Sequence, residues 1–212
     1  MRNVRTVYLE AAHEAAELLA AREVSQAWDS QSVLPGMTTG GLASHLARSV
    51  LQVEWFLDGP IVGAKPVSSV VYYARLTGTA IQDSPLNVGV RARSAETAET
   101  GHAAIAEQTR RACDRLHDRL PDEPADRRVA VLHRPGEEML LDDYLETRCV
   151  ELAVHIEDLG LSVEVPHQAP EPAAAVAIDV LVAAARARFG DREVLHALSR
   201  RERDQYDALR VL

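Results

Sequence analysis

The chain holds a single lysine, Lys65, and every other basic side chain is an arginine. That bias, together with the many alanines, is the mark of a GC-rich coding sequence and says nothing about chemistry. Basic charge is also outweighed. Lys and Arg number 23 against 32 Asp and Glu, for a formal net charge of −9. A phosphate-binding surface needs a local excess of Lys and Arg, so the composition argues against nucleic acid. It argues equally against a polybasic membrane contact. Cysteine is scarce too: Cys113 and Cys149 are too few for a disulfide scaffold and read as free thiols of a reducing compartment. No apolar run approaches the ~18 residues of a membrane span. Glu10, His13 and Glu14 sit where a signal peptide would need an apolar stretch. The expectation is a cytoplasmic protein, monomer or homodimer, that binds neither nucleic acid nor membrane.

What is present is an ordinary globular balance, with 47% hydrophobic and 26% charged residues over 212 positions. That length suits one domain, or one domain with an extension. Apolar residues at helical spacing (Val4, Leu9, Ala12, Ala16, Leu19, Val24) predict a helix over 4–28. Pro35-Gly36 marks a loop, and Thr38 or Thr39 can cap a second helix that runs to about Leu57. Residues 60–91 show no clear period and read as a long irregular segment around Tyr72 and Tyr73, of the kind that covers a site or moves. Residues 94–120 predict a third helix that runs through Gly101. Residues 128–133 and 137–143 predict a short hairpin around Arg134-Pro135-Gly136. A fourth helix is expected from Tyr144 to about Leu159, ended by Gly160. Further helices follow over 173–189 and 191–198. The fold expected is mainly α: an up-and-down four-helix bundle over 1–162, with a small β-hairpin and a short helical extension over 163–212 packed on the same domain.

The fourth helix carries the main anomaly. In "RCVELAVHIEDLG" (148–160), Arg148, Glu151, His155 and Asp158 fall within a narrow sector, at about +60°, 0°, +40° and −20° on a helix of ~100° per residue. Val154 borders the stripe on one side, Leu152 and Leu159 on the other, so it is not a broad solvated face. Burying such groups without partners costs several kcal/mol each. An ion-pair ladder, Arg148 with Glu151 and His155 with Asp158, would offset that cost. So would a metal ion, because Glu151 and His155 at i, i+4 converge on one spot. The spacing alone leaves both alternatives open.

A third ligand would have to come from another helix. His45, in "GGLASHLARSV", is the best candidate, though a lone histidine on such a face is more often a packed core residue. His13, His102, His117, His133, His167 and His196 read as surface residues, with His13 able to line a bundle mouth.

These two stretches carry a resemblance. "WDSQSVLPGMTTGGLASHLA" (28–47) is similar to the W…S-x-L-P-G-W-T…L…H-L-A signature of the mycothiol-dependent maleylpyruvate isomerase N-terminal family, of the DinB/YfiT-like metalloenzyme superfamily. "RCVELAVHIEDLG" resembles that family's R-x-x-E-x-x-x-H-x-x-D-L signature, and 189–212 more thinly resembles the closing segment of single-domain relatives. Met37 departs from the family's tryptophan, and "SQS" lacks a proline often found there. Only 57 residues follow His155, where maleylpyruvate isomerase itself has a larger C-terminal domain.

The resemblance implies a divalent metal on His45, Glu151 and His155, most simply Zn2+ with Ni2+ or Fe2+ as alternatives. Asp158 would then orient His155 or a bound water. Arg148 would neutralise carboxylate charge or meet an anionic substrate. Three protein ligands leave a fourth position open, as in catalytic zinc sites. The family's co-substrate there is mycothiol, and a cation favours its thiolate. Attack on a small electrophile would end in cis–trans isomerisation or in S-conjugation. The competing readings are a zinc hydrolase and a non-catalytic metal- or small-ligand-binding bundle. Tyr72 or Tyr73 would donate a hydrogen bond over the site, although packing the segment down is the simpler role for both. Arg201, beside Arg200, would meet an acidic group on thiol or substrate. Cys149 faces away from Glu151 and is expected to be neither ligand nor nucleophile.

Overall fold

The computed structural model describes residues 3–76, 81–131, 134–204 and 206–211. Of the histidines, His133 lies outside them. The described elements, in chain order, are α1 (Val4–Leu19), α2 (Arg22–Gln26), α3 (Thr39–Leu57), α4 (Ser69–Ala74), α5 (Pro85–Ala98), α6 (His102–Arg119), β1 (Arg128–Ala130), β2 (Glu138–Leu140), α7 (Leu141–Ser162), α8 (Glu171–Phe189) and α9 (Asp191–Ser199). The protein is thus mainly helical with one small antiparallel sheet. Helices α1, α3, α6 and α7 pack on one another around a shared core that includes Tyr8, Leu18, Leu42, Leu46, Leu116 and Ile156. Helix α8 lies against α7, α1 and α4, and α9 folds back on α8. The hairpin pairs Arg128 with Leu140, Val129 with Met139 and Ala130 with Glu138. Val129 and Met139 are fully buried, which fixes the hairpin against the helices.

Four expectations about the elements need correction. The helix expected over 4–28 breaks, because Ala21 takes an extended conformation (ψ 141°) that re-aims α2 so that Val24 reaches the core. The helix expected to pass Gly101 also breaks there. Gly101 has φ +85°, a left-handed conformation costly for any residue with a Cβ. The segment 60–91 is not irregular throughout. It holds α4, capped by Ser68, and the start of α5, where Ser84 caps Pro85 at the first helical position. Gly160 does not end α7, which continues to Ser162. A Cβ on Gly160 would stand 3.0 Å from the Val165 carbonyl, so glycine there lets the chain return against the helix.

The "WDSQSVLPGMTTGG" stretch works as a clasp on the start of α3. The Thr38 hydroxyl accepts from Gly41 N at 3.0 Å, Thr39 N donates to Ser30 O at 2.8 Å, and Gly40 N donates to Trp28 O at 2.8 Å. The Ser32 hydroxyl donates to Met37 O at 2.7 Å across a turn in which Gly36 has φ +75°. The Trp28 indole lies directly on Gly40. A Cβ at position 40 would meet its Cε2 at 2.6 Å. The opposite edge of this arrangement is fixed by His102, whose ring packs edge-on to Trp28 at 5.7 Å. His102 is therefore a packing residue rather than a surface one.

Among the described residues no helix is long and apolar enough to cross a membrane. Both cysteines are buried free thiols, and burial pushes each of them up to about 12. At neutral pH neither should react with a thiol reagent in the native state, and both should react in denaturant. Rapid labelling of the folded protein would contradict the packing of α6 and α7. Gly40→Ala should destabilise the fold by about 1–3 kcal/mol through overpacking against Trp28. Thermal unfolding should show this as a drop in Tm of several degrees.

Candidate metal centre

Helices α3 and α7 meet at one carboxylate. Glu151 and His155 lie on α7, one turn apart, and His45 reaches across from α3, a turn and a half beyond the clasp that fixes that helix's start. The donor atoms of His45, Glu151 and His155 all lie within 4.8 Å of one another, a group able to hold a metal ion. Glu151 Oε2 stands 3.4 Å from His45 Nε2 and 3.6 Å from His155 Nε2. These contacts are longer than N–H···O hydrogen bonds, which run to about 3.2 Å. They are close to the ~3.3–3.4 Å that separates two ligand atoms on a tetrahedral ion with bonds of ~2.0–2.1 Å. Two imidazole nitrogens and a carboxylate oxygen are also the donor types zinc and its neighbours accept. The side chains keep 20%, 18% and 16% of their surface, so the site is largely buried but not sealed from solvent.

The surroundings set the protonation of each group. Asp158 Oδ2 lies 2.9 Å from His155 Nδ1, which directs Nε2 toward Glu151. Burial lowers the pKa of His155, but Asp158 and Glu151 outweigh it and raise it to about 9. Burial lowers that of His45, and Glu151 only partly offsets this. Burial alone would raise the pKa of Glu151, yet His155, His45 and Arg148 together hold it well below the usual carboxylate range. Without a metal the proton of the site therefore rests on His155. An ion held through its Nε2 would have to displace that proton, while the Asp158 contact would keep the other.

Of the ladder expected along α7, only the His155–Asp158 pair forms. No ion pair joins Arg148 to Glu151 among the described residues. The Arg148 guanidinium is buried, with the residue 7% exposed. Its Nε donates to Thr147 Oγ1 at 3.2 Å, and its centre lies 5.1 Å from the Tyr144 ring centroid. Burial works against its charge, but the surrounding tyrosines and Glu151 hold its pKa above the ordinary arginine value. Arg201 is exposed in a 3-10 turn (Arg201–Arg203) that packs on α9, where its carbonyl accepts from Asp204 N at 3.2 Å. Of the remaining histidines, His13 is exposed beside Glu17, and His167 lies half-buried 2.7 Å from Glu14.

Of the two tyrosines read as possible donors over the site, the structure brings Tyr73 to Glu151. Tyr73, on α4, is fully buried, and its hydroxyl donates toward Glu151 Oε1 at 3.0 Å and Thr147 O at 3.1 Å. Burial and the Glu151 charge raise its pKa well above that of a free phenol, so it stays protonated and able to donate. Tyr72 packs edge-on to Tyr73 at 5.3 Å and lies under Arg134, whose guanidinium is 4.6 Å from the ring centroid. The paired tyrosines were a visible signal. Which of them reaches Glu151 depends on how α4 docks. Cys149 is fully buried and stands apart from the donor set, as expected from its position on α7.

Residues 8–160 match the family model described as the mycothiol maleylpyruvate isomerase N-terminal domain. No curated protein and no solved structure matches the chain. The matched span contains His45, Glu151 and His155 and closes near the end of α7, leaving α8 and α9 beyond it. With most of its length matched and both signature stretches inside the match, the chain belongs to the mycothiol maleylpyruvate isomerase N-terminal domain family.

Proposed function

We propose that the protein is a divalent-metal-dependent thiol transferase or cis–trans isomerase. It would use mycothiol as co-substrate and act on a small electrophile. The observation that carries this reading is the placing of Glu151 Oε2 at 3.4 and 3.6 Å from two imidazole nitrogens, inside the family-matched span. Helices α1, α3, α6 and α7 are then the four members of an up-and-down bundle, and 163–212 is an extension on the same domain.

His45, Glu151 and His155 would hold the ion, most simply Zn2+. An ion bound there would supply a Lewis acid, which would favour the thiolate form of a bound thiol. Asp158 keeps His155 in the tautomer that offers Nε2. Arg148 adds a buried positive charge beside Glu151. A dication, two carboxylates and one guanidinium leave the site net positive, which favours an anionic fourth ligand such as a thiolate or an acidic substrate group. The clasp around Trp28 and Gly40 sets the start of α3, and so the position of His45. The reaction is thiol addition to an electrophilic carbon. It ends as an S-conjugate, or as an isomerised product when the adduct rotates and expels the thiol.

Protein purified without chelator should carry close to one divalent ion per chain by elemental analysis, and Glu151→Ala should lose it. A well-folded, metal-free preparation that also refuses added Zn2+ would sink the metal reading. Asp158→Asn should weaken metal affinity about 10–100-fold, the usual effect of losing a carboxylate that orients a histidine ligand. Mass spectrometry of metal-loaded protein with mycothiol and candidate electrophiles should reveal thiol conjugates or isomerised products. Hydrolysis indifferent to added thiol would favour a hydrolase instead.

A further inference from the structure

The two oxygens of Glu151 have different neighbours. Oε2 faces His45 Nε2 and His155 Nε2. Oε1 lies 3.0 Å from the Tyr73 hydroxyl, whose one proton it shares with Thr147 O at 3.1 Å. A carboxylate with one oxygen engaged in this way is held from turning both oxygens onto one ion, and a second carboxylate oxygen would fill the position an exchangeable ligand needs.

Tyr73 stands on a helix of only six residues, too short to be stable alone. Both ends of α4 are tied down. At its start Ser69 N donates to Asp143 Oδ1 at 3.1 Å, and the Ser69 hydroxyl donates to Glu146, both on α7. At its end Arg188 of α8 donates to three carbonyls: Tyr73 O at 2.7 Å, Ala74 O at 3.2 Å and Leu76 O. Three bonds from one guanidinium are a charge-assisted cap on a helix C-terminus, where cations are favoured. Arg188 lies beyond the segment that matches the family, so the α8 region contributes to the site without touching it.

We propose that Tyr73 is a positioning residue that makes Glu151 a one-oxygen ligand and so keeps a coordination position free for a thiol, and that Arg188 holds Tyr73 in place. This rests on the metal-site reading above.

The test uses the full chain loaded with Co2+, whose visible d–d absorption is intense when four-coordinate and weaker when five-coordinate, with 2-mercaptoethanol as the thiol probe. Wild type should show the intense band and a shift on thiol binding. Tyr73→Phe keeps the ring and removes only the hydroxyl. It should weaken the band and raise the thiol Kd about tenfold, the scale seen when a group that orients a ligand is lost. Arg188→Ala should move both readouts in the same direction, and Arg188→Lys should recover part of the change. Circular dichroism separates these effects from unfolding, and if Tyr73→Phe fails to fold, Arg188→Ala carries the test. An unchanged band and thiol affinity in folded Tyr73→Phe, or in folded Arg188→Ala, overturns the inference and leaves the metal site standing. Failure of wild type to take up Co2+ overturns the metal reading and this inference with it.

Discussion

A carboxylate placed among packed helices must be met by partners, and the site is organised around meeting that of Glu151. Left alone it would cost several kcal/mol or take up a proton. Instead α3 sends His45, α7 sends His155 from the next turn, and α4 sends the Tyr73 hydroxyl. Arg148 adds positive charge from the preceding turn without touching the carboxyl. The result is a carboxyl held ionised although it is largely buried. Because its partners come from separate helices, the geometry of the site follows from the packing of the whole molecule.

The conspicuous sequence motif around Trp28 plays a different part from the one on α7. Its residues close on one another: Ser32 on Met37, Thr38 on Gly41, Trp28 on Gly40. These contacts fix where α3 begins, and His45 inherits its position from that start. Met37, which replaces the tryptophan usual in the family's signature, is buried and packs near Gly41, so the departure falls in the clasp and not among the candidate metal-holding residues. The α7 motif, in contrast, carries Glu151 and His155, two of the three side chains whose donor atoms could hold a metal ion. One motif supplies placement and the other supplies chemistry.

Much of this was legible without coordinates, and the exceptions share a cause. Helical periodicity identified the long helices because each buries one face over several turns. It did not identify the breaks. Ala21 and Gly101 each interrupt a pattern whose apolar spacing continues on the far side, and one change of backbone conformation leaves that spacing almost intact. Helix α4 was invisible for the opposite reason. Six residues span less than two turns, so no period can show, and α4 persists only because Asp143, Glu146 and Arg188 hold its ends. Gly160 looked like a stop signal but serves close packing of the returning chain.

The sequence by itself determined which groups could share a face. A helix repeats every 3.6 residues, so Glu151, His155 and Asp158 must fall in line wherever α7 lies. With the motif on α3, it also named His45 as their partner. Only the tertiary structure decided which oxygen of Glu151 meets the histidines and which meets a phenol. It also decided that Arg148 stays off the carboxylate, and that Tyr73 rather than Tyr72 reaches it. Those choices depend on how α3, α4 and α8 dock against α7. Docking is set by contacts between residues far apart in the chain, which local spacing does not encode.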